Sequence, residues 1–216
     1  MATKLIVYRG AMRILKQATS ATFAVTDDEF FRYELDAEYS RAIAFMLEAG
    51  KWNFAARTRE IDASVDVEPD FGHTHAFERP DDYAGRIIKI SPNEMLYPVF
   101  GANEYVAEGE YWYASIDPIY VSYVSNGSSY GGDLSLWPES FTTAFEHELA
   151  YRVAGTVTSI SANEKADLGR LKKKTLTNAR SLDASNQPSD LPQPGRLVTA
   201  RGRGGRNWRE GGRWRP

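Results

Sequence analysis

Residues 44–61 read AFMLEAGKWNFAARTREI, and within this stretch the chain changes its period. Upstream, Phe31, Leu35, Tyr39, Ala42, Met46 and Leu47 recur along one helical stripe, with Asp27 or Asp28 placed to cap its start and Gly50 to close it. Downstream of Trp52 the period shortens and aromatic and β-branched residues accumulate, so Phe54 to Val67 predicts one or two strands. Aromatic side chains at a helix-to-strand junction pack inward, which makes Trp52 and Phe54 core residues. Here a helical N-terminal region gives way to a β-rich insert.

Toward the N-terminus, Leu5, Tyr8, Met12 and Leu15 predict a first helix over Thr3–Gln17, weakened by Gly10, with Ala18–Thr26 as a loop. Within the insert, Asp66–Asp82 is polar and reads as an exposed excursion. Gly85–Ser91 and Glu104–Ala114 read as strands, the second turning at Glu108-Gly109, and Ile116–Val124 reads as a half-buried strand with Pro118 at its start. Arg57 and Arg59 share one face of the first strand and are placed to pair with a neighbouring subunit's acids. Tyr111, Trp112 and Tyr113 are consecutive on a strand, so each face receives at least one of them. Two readings follow for these aromatics: a subunit contact, or burial beneath the 66–82 excursion.

Helices return after the Asn126–Asp133 loop. Pro138 suits a first helical turn and Glu139 its positive end, with Phe141, Ala144, Phe145, Leu149 and Val153 as the apolar face. Ser161 and Glu164 fit a capping box opening a last helix to about Leu182, with Leu168, Leu171, Leu176 and Ala179 inward and Lys172–Lys174 exposed. The fold class is α+β: a bundle of N-terminal helices (1–51) and C-terminal helices (134–184), an inserted small antiparallel β domain (52–133), and an extended C-terminal arm (185–216). Pro188, Pro192 and Pro194 make the start of that arm a stiff linker.

Composition narrows the functional classes. With 216 residues, 42% of them hydrophobic, the chain suits one domain plus appendages. There is no cysteine, hence no disulfide and no thiolate metal site or thiol nucleophile. No apolar run approaches a membrane span and no signal-peptide core is present, so a soluble, unsecreted protein with no membrane partner is expected. His73 and His75 form an H-x-H pair and His147 lies between Glu146 and Glu148. The pair lies in loop-like sequence, however, and three consecutive helical residues point three ways. Asp62, Asp66, Glu68 and Asp70 lack the glycine and terminal glutamate of a calcium loop. No catalytic residue, cofactor or metal is assigned, and the chain is not expected to be an enzyme.

Residues 195–216 stand apart. They hold seven arginines against one acid, about +6, and since the whole chain is −3, residues 1–194 carry −9. So glycine-rich and charged a segment buries too little apolar surface to fold alone, yet it carries two anchor-type residues, Trp208 and Trp214. Extended, it reaches on the order of 70 Å.

The order of these pieces resembles a known family. GKWNFA leads from a helix into an arginine-bearing strand; Pro80-Asp81-Asp82-Tyr83 precedes Arg86-Ile87-Ile88; then come Tyr105-Val106-Ala107-Glu108-Gly109, Ile119–Tyr123, Trp137-Pro138-Glu139-Ser140-Phe141 and Ser161–Ala166. Together they resemble the head–tail adaptor proteins of short-tailed bacteriophages, often called tail tubular protein A. The similarity covers most of residues 3–185 and continues into Gly195–Gly202.

That resemblance implies a non-catalytic virion protein at the head–tail junction, assembled in the host cytoplasm. It implies a self-associating ring, typically of about twelve copies, beneath the portal protein. The ring continues the channel for genomic DNA, without sequence-specific binding, and carries the tail nozzle protein. The arm is then implied to grip the portal through Leu197, Val198, Arg201, Arg206, Trp208, Arg209 and Trp214. The rival reading rests on Gly202–Arg209 (GRGGRNWR), which resembles RGG-type segments that bind single-stranded nucleic acid by phosphate contacts and stacking. Against it, residues 1–194 are acidic and carry no RRM or KH signature.

Overall fold

A computed structural model describes residues 3–16, 30–69, 72–101 and 103–186. Met1–Asn186 forms one compact unit, distinct from Gln187–Pro216, which lies outside the described residues. Four helices, α1 (Lys4–Ile14), α2 (Phe30–Glu48), α3 (Glu139–Val157) and α4 (Ala162–Ser185), pack together. Between α2 and α3 the chain inserts six strands: β1 (Ala56–Ile61), β2 (His75–Glu78), β3 (Tyr83–Ser91), β4 (Tyr105–Glu108), β5 (Tyr111–Ala114) and β6 (Ile119–Ser125). They make two antiparallel three-stranded sheets, ordered β1-β6-β3 and β2-β5-β4. The α+β architecture expected from the sequence is what the chain adopts.

β6 explains how sheet and bundle join. Its side chains alternate faces, yet nearly all are buried. Ile119, Val121 and Tyr123 join Phe77, Ile90 and Trp112 in a core between the two sheets. Val124, on the opposite face, belongs to the bundle core with Leu47, Trp52 and Phe141. The half-buried strand expected over Ile116–Val124 is therefore corrected to Ile119–Ser125, buried on both faces, where polar alternation is lost because neither side meets water.

Two tryptophans fix the chain where it crosses between layers. Trp52 leaves α2 and donates its indole N–H to the Met46 carbonyl at 2.6 Å. Trp137 enters α3 and donates to the Gly131 carbonyl at 2.9 Å. Both rings meet Phe141 edge-on, with centroids 4.8 Å away. Gly50 ends α2, but not through a left-handed conformation: a Cβ there lies 2.6 Å from the Trp52 ring, so glycine is needed to let the indole fold back. Gly131 is constrained likewise, since a Cβ would come 2.5 Å from the Ser125 carbonyl and 2.9 Å from Leu47. Gly131→Ala is expected to cost about 1–3 kcal/mol in urea unfolding, by overpacking against backbone. An unchanged midpoint refutes the close-approach argument.

Local signals hold at the start of α4 and are shifted at α1 and α3. Ser161 Oγ accepts from the Glu164 amide at 3.3 Å while the Glu164 carboxylate accepts from the Ser161 amide at 3.0 Å, completing the capping box. Thr3 caps α1, which ends at Ile14 rather than Gln17, with Lys16 at φ 57°. Pro138 is the N-cap of α3 rather than a first-turn residue. Gly10 does not break α1; it makes room for the Glu146 carboxyl of α3, which a Cβ at that position would strike. The proposed caps Asp27 and Asp28 and the loop at 18–26 lie outside the described residues.

Three further expectations need correction. Asp66–Asp82 is not a wholly exposed excursion, because β2 forms within it and buries Ala76 and Phe77. Lys172 is not a solvated member of the lysine run: its ammonium lies 3.1 Å from the buried Glu148 carboxylate and over the Tyr151 ring. Leu171, assigned inward, is 45% exposed.

Candidate functional site

Register decides what the β2-β5-β4 sheet shows to solvent. Directly opposed residues share a face, and Glu78, Tyr111 and Glu108 stand in one cross-strand row, with Ala76, Tyr113 and Val106 in the next. Trp112 and Ala114 point the other way and are fully buried. Trp112 stacks edge-on against Tyr83 at 5.3 Å and lies opposite Phe77. The subunit contact expected of all three aromatics is therefore corrected for Trp112, which is core within its own chain. Tyr111 and Tyr113 remain half-exposed, their rings 6.4 Å apart, flanked by the exposed Glu78, Glu108 and Val106.

Arg57 and Arg59 do share a strand face, but Arg57 is taken. Its guanidinium donates to Asp82 Oδ2 at 2.7 Å, a partner inside the chain rather than a neighbour's acid. Asp82 also accepts from Ser125 Oγ at 2.5 Å and from the Tyr123 hydroxyl at 2.8 Å, and its carbonyl accepts from the Asn126 amide. Burial alone raises the Asp82 carboxyl, but hydrogen bonds from Ser125, Arg57 and Tyr123 outweigh it and hold it below the usual range. Burial and the Asp82 hydrogen bond push the Tyr123 hydroxyl up to about 12. This cluster clasps β1, β6 and the turn before β3, so its role is structural. Arg59 is exposed.

The histidines are not brought into one ligand set. His73 Nδ1 lies 3.2 Å from Ser115 Oγ, and His75 opens β2, while His147 sits on α3 with its Nδ1 buried and unpartnered. Burial pushes the His147 imidazole down. Around it, Glu146 faces α1 and Glu148 faces Arg152 and Lys172, at 2.7 and 3.1 Å. Among the described residues, no group of three or more His, Asp or Glu side chains is arranged to hold a metal ion. Asp62, Asp66 and Glu68 are exposed; Asp70 lies outside the described residues.

Two further surfaces were not found from sequence. A groove of about 670 Å³ of mixed lining, with Ile14, Leu15, Val157, Ile160, Leu168 and Leu171 beside Lys16, His147, Glu164 and Asp167, opens where α1 and α3 end and α4 begins. In the β3–β4 connection, Met95, Tyr97 and Val99 are 76%, 59% and 45% exposed. That loop is well tied: Ser91 Oγ donates to the Pro98 carbonyl, the Met95 amide to Asn93, and the Phe100 amide to Ile90. The available signal was the continuous apolar run Met95–Phe100 in a stretch bounded by Asn93-Glu94 and Gly101.

The arm residues Leu197, Val198, Arg201, Arg206, Trp208, Arg209 and Trp214 all lie outside the described residues. Among the described residues no helix is long and apolar enough to cross a membrane. No protein-family model matches the chain, and no curated protein matches it.

Proposed function

We propose that this chain is a structural virion protein, a head–tail adaptor whose copies form a ring under the portal, continue the DNA channel and support the tail nozzle. One observation carries the reading. The short motifs on which the resemblance rests occupy the joints of the fold: Trp52 and Trp137 pin the two crossings, Asp82 clasps the first sheet, and Ser161 with Glu164 starts α4. The resemblance thus rests on residues that define the architecture of this chain. The half-exposed Tyr111 and Tyr113 and the tied apolar loop at Met95–Val99 supply surface of the kind that partners cover.

In mechanism the ring gains its hold from repetition. A weak contact made once per subunit gives high avidity when all copies engage together. The arm supplies arginine forks for acidic side chains and Trp208 and Trp214 for apolar pockets. Removing residues 195–216 is expected to leave the circular dichroism and melting temperature unchanged and to abolish attachment to portal-bearing capsids. Normal attachment by the truncated chain defeats the arm's role. The rival reading, single-strand binding through the arginine–glycine segment, is favoured by the +6 charge of residues 195–216 that contain it. It predicts salt-sensitive uptake of single-stranded DNA by the full chain, lost on truncation, and indifference to portal.

A further inference from the structure

We infer that the outer face of the β2-β5-β4 sheet docks the exposed basic face of α4 on a second copy of this chain; the inference rests on the ring reading and assigns its subunit contact.

The two surfaces differ in charge and match in chemistry. Residues 56–118 carry thirteen acids against five bases, so the sheet face sits in an acidic field. At its centre, Tyr111 is bracketed across the strands by Glu78 and Glu108, while Tyr113 has Val106 beside it. A carboxylate–tyrosine–carboxylate row suits cations twice over, through ion pairing and through the negative faces of the rings.

α4 offers the complement. Between Leu168 and Leu182 it has five cationic residues and no acid, within residues 1–194 whose net charge is −9. At 100° per residue, Arg170, Lys173, Lys174, Thr177 and Ser181 lie on one face. All are exposed, and Leu171 and Leu182, 45% and 48% exposed, lie alongside. Arg170 is held at 3.2 Å by Asp167, and Lys172 is committed to Glu148; Lys173 and Lys174 point to solvent. Only Leu168 and Ala179 of this 24-residue helix are buried and five further residues are partly so, which leaves the Arg170–Lys174–Ser181 face open to a partner.

Duplex DNA competes for the same cations but leaves Leu171 and Leu182 in water. The sheet face covers them, because Val106 and the tyrosine rings provide apolar area next to the carboxylates. Because the two surfaces are different, the contact is head-to-tail: each copy uses its sheet face toward one neighbour and α4 toward the other. Such heterologous contacts propagate from copy to copy, and close into a ring where the rotation between neighbours closes.

The experiment is a charge exchange read by native mass spectrometry and sedimentation of the full chain over a concentration series. Glu78→Lys with Glu108→Lys, and separately Lys173→Glu with Lys174→Glu, are each expected to weaken self-association by about tenfold or more. The four changes combined are expected to restore it, which a merely misfolded variant does not do. Wild-type assembly by either pair, or no recovery in the fourfold variant, overturns the contact while leaving the ring reading intact. Loss of duplex-oligonucleotide binding by the lysine pair with unchanged assembly assigns α4 to DNA and also overturns it. A wild-type chain that stays monomeric, alone and with portal, fails the ring reading itself.

Discussion

Trp52→Ala is expected to lower unfolding free energy by about 4 kcal/mol or more, and Trp52→Phe by about 1–3 kcal/mol. Two separable losses make the difference. The indole is 1% exposed and touches Phe54 and Phe141, so truncation to alanine opens a large cavity that the surrounding rings cannot fill. Its N–H is a second contribution. Met46 lies in the last turn of α2, where carbonyls lack intrahelical partners, and the 2.6 Å bond from Trp52 satisfies one of them in a buried setting. Phenylalanine keeps one six-membered ring, removes the donor and gives up the volume of the fused five-membered ring. Urea unfolding of both variants separates the contributions, and amide exchange near residues 46–50 localises the second. If Trp52→Phe matches wild type in both, the indole donor does nothing for α2. The effect extends beyond one helix, since Trp52 and Trp137 grip the same Phe141. Loosening either tryptophan frees the β insert from the bundle and with it the sheet face proposed to meet a neighbour.

What the sequence disclosed depended on how local the cause was. The capping box at Ser161 and Glu164 needs residues three apart, and the Glu108-Gly109 turn needs only a glycine free to adopt φ 53°, so both were legible. Trp52 was legible because an aromatic at a change of period has few places to go but inward. β2 was not, because a four-residue strand with no apolar alternation exists only by pairing with β5. Lys172 sits in a run of three lysines that looks uniformly solvated. Only the packing of α4 on α3 shows that one of the three neutralises the buried Glu148. The candidate surface followed the same rule. Alternation put at least one of Tyr111, Trp112 and Tyr113 on each face, but which face is buried, and that Glu78 and Glu108 flank Tyr111, required the register of two strand pairs.

Glu146→Gln is expected to stabilise the protein at about pH 8 by up to about 3 kcal/mol and to make no difference near pH 4. Burial, with a smaller contribution from the Glu139 charge and against the opposing pull of Arg13, pushes the Glu146 carboxyl from 4.5 up to about 7. The folded state thus holds a proton that the unfolded chain has released, and stability falls as pH rises from 4.5 through 7. Below 4.5 both states are protonated and the penalty vanishes. Glutamine keeps the shape and cannot ionise, so the wild-type slope in this window should be absent from the variant. His147 works in the opposite sense: burial lowers its pKa, so the unfolded chain takes up the proton first and stability declines as pH falls below 6.5. The difference between wild type and Glu146→Gln cancels that contribution, which both proteins share. α1 is where the strain should appear, because the carboxyl rests against Gly10 and α1 packs chiefly on α3. Charging Glu146 there demands water that the helix contact excludes. Amide exchange in α1 should accordingly quicken above pH 7, beyond its intrinsic pH dependence, in wild type and not in the variant. Parallel pH profiles for the two proteins place Glu146 in solvent instead.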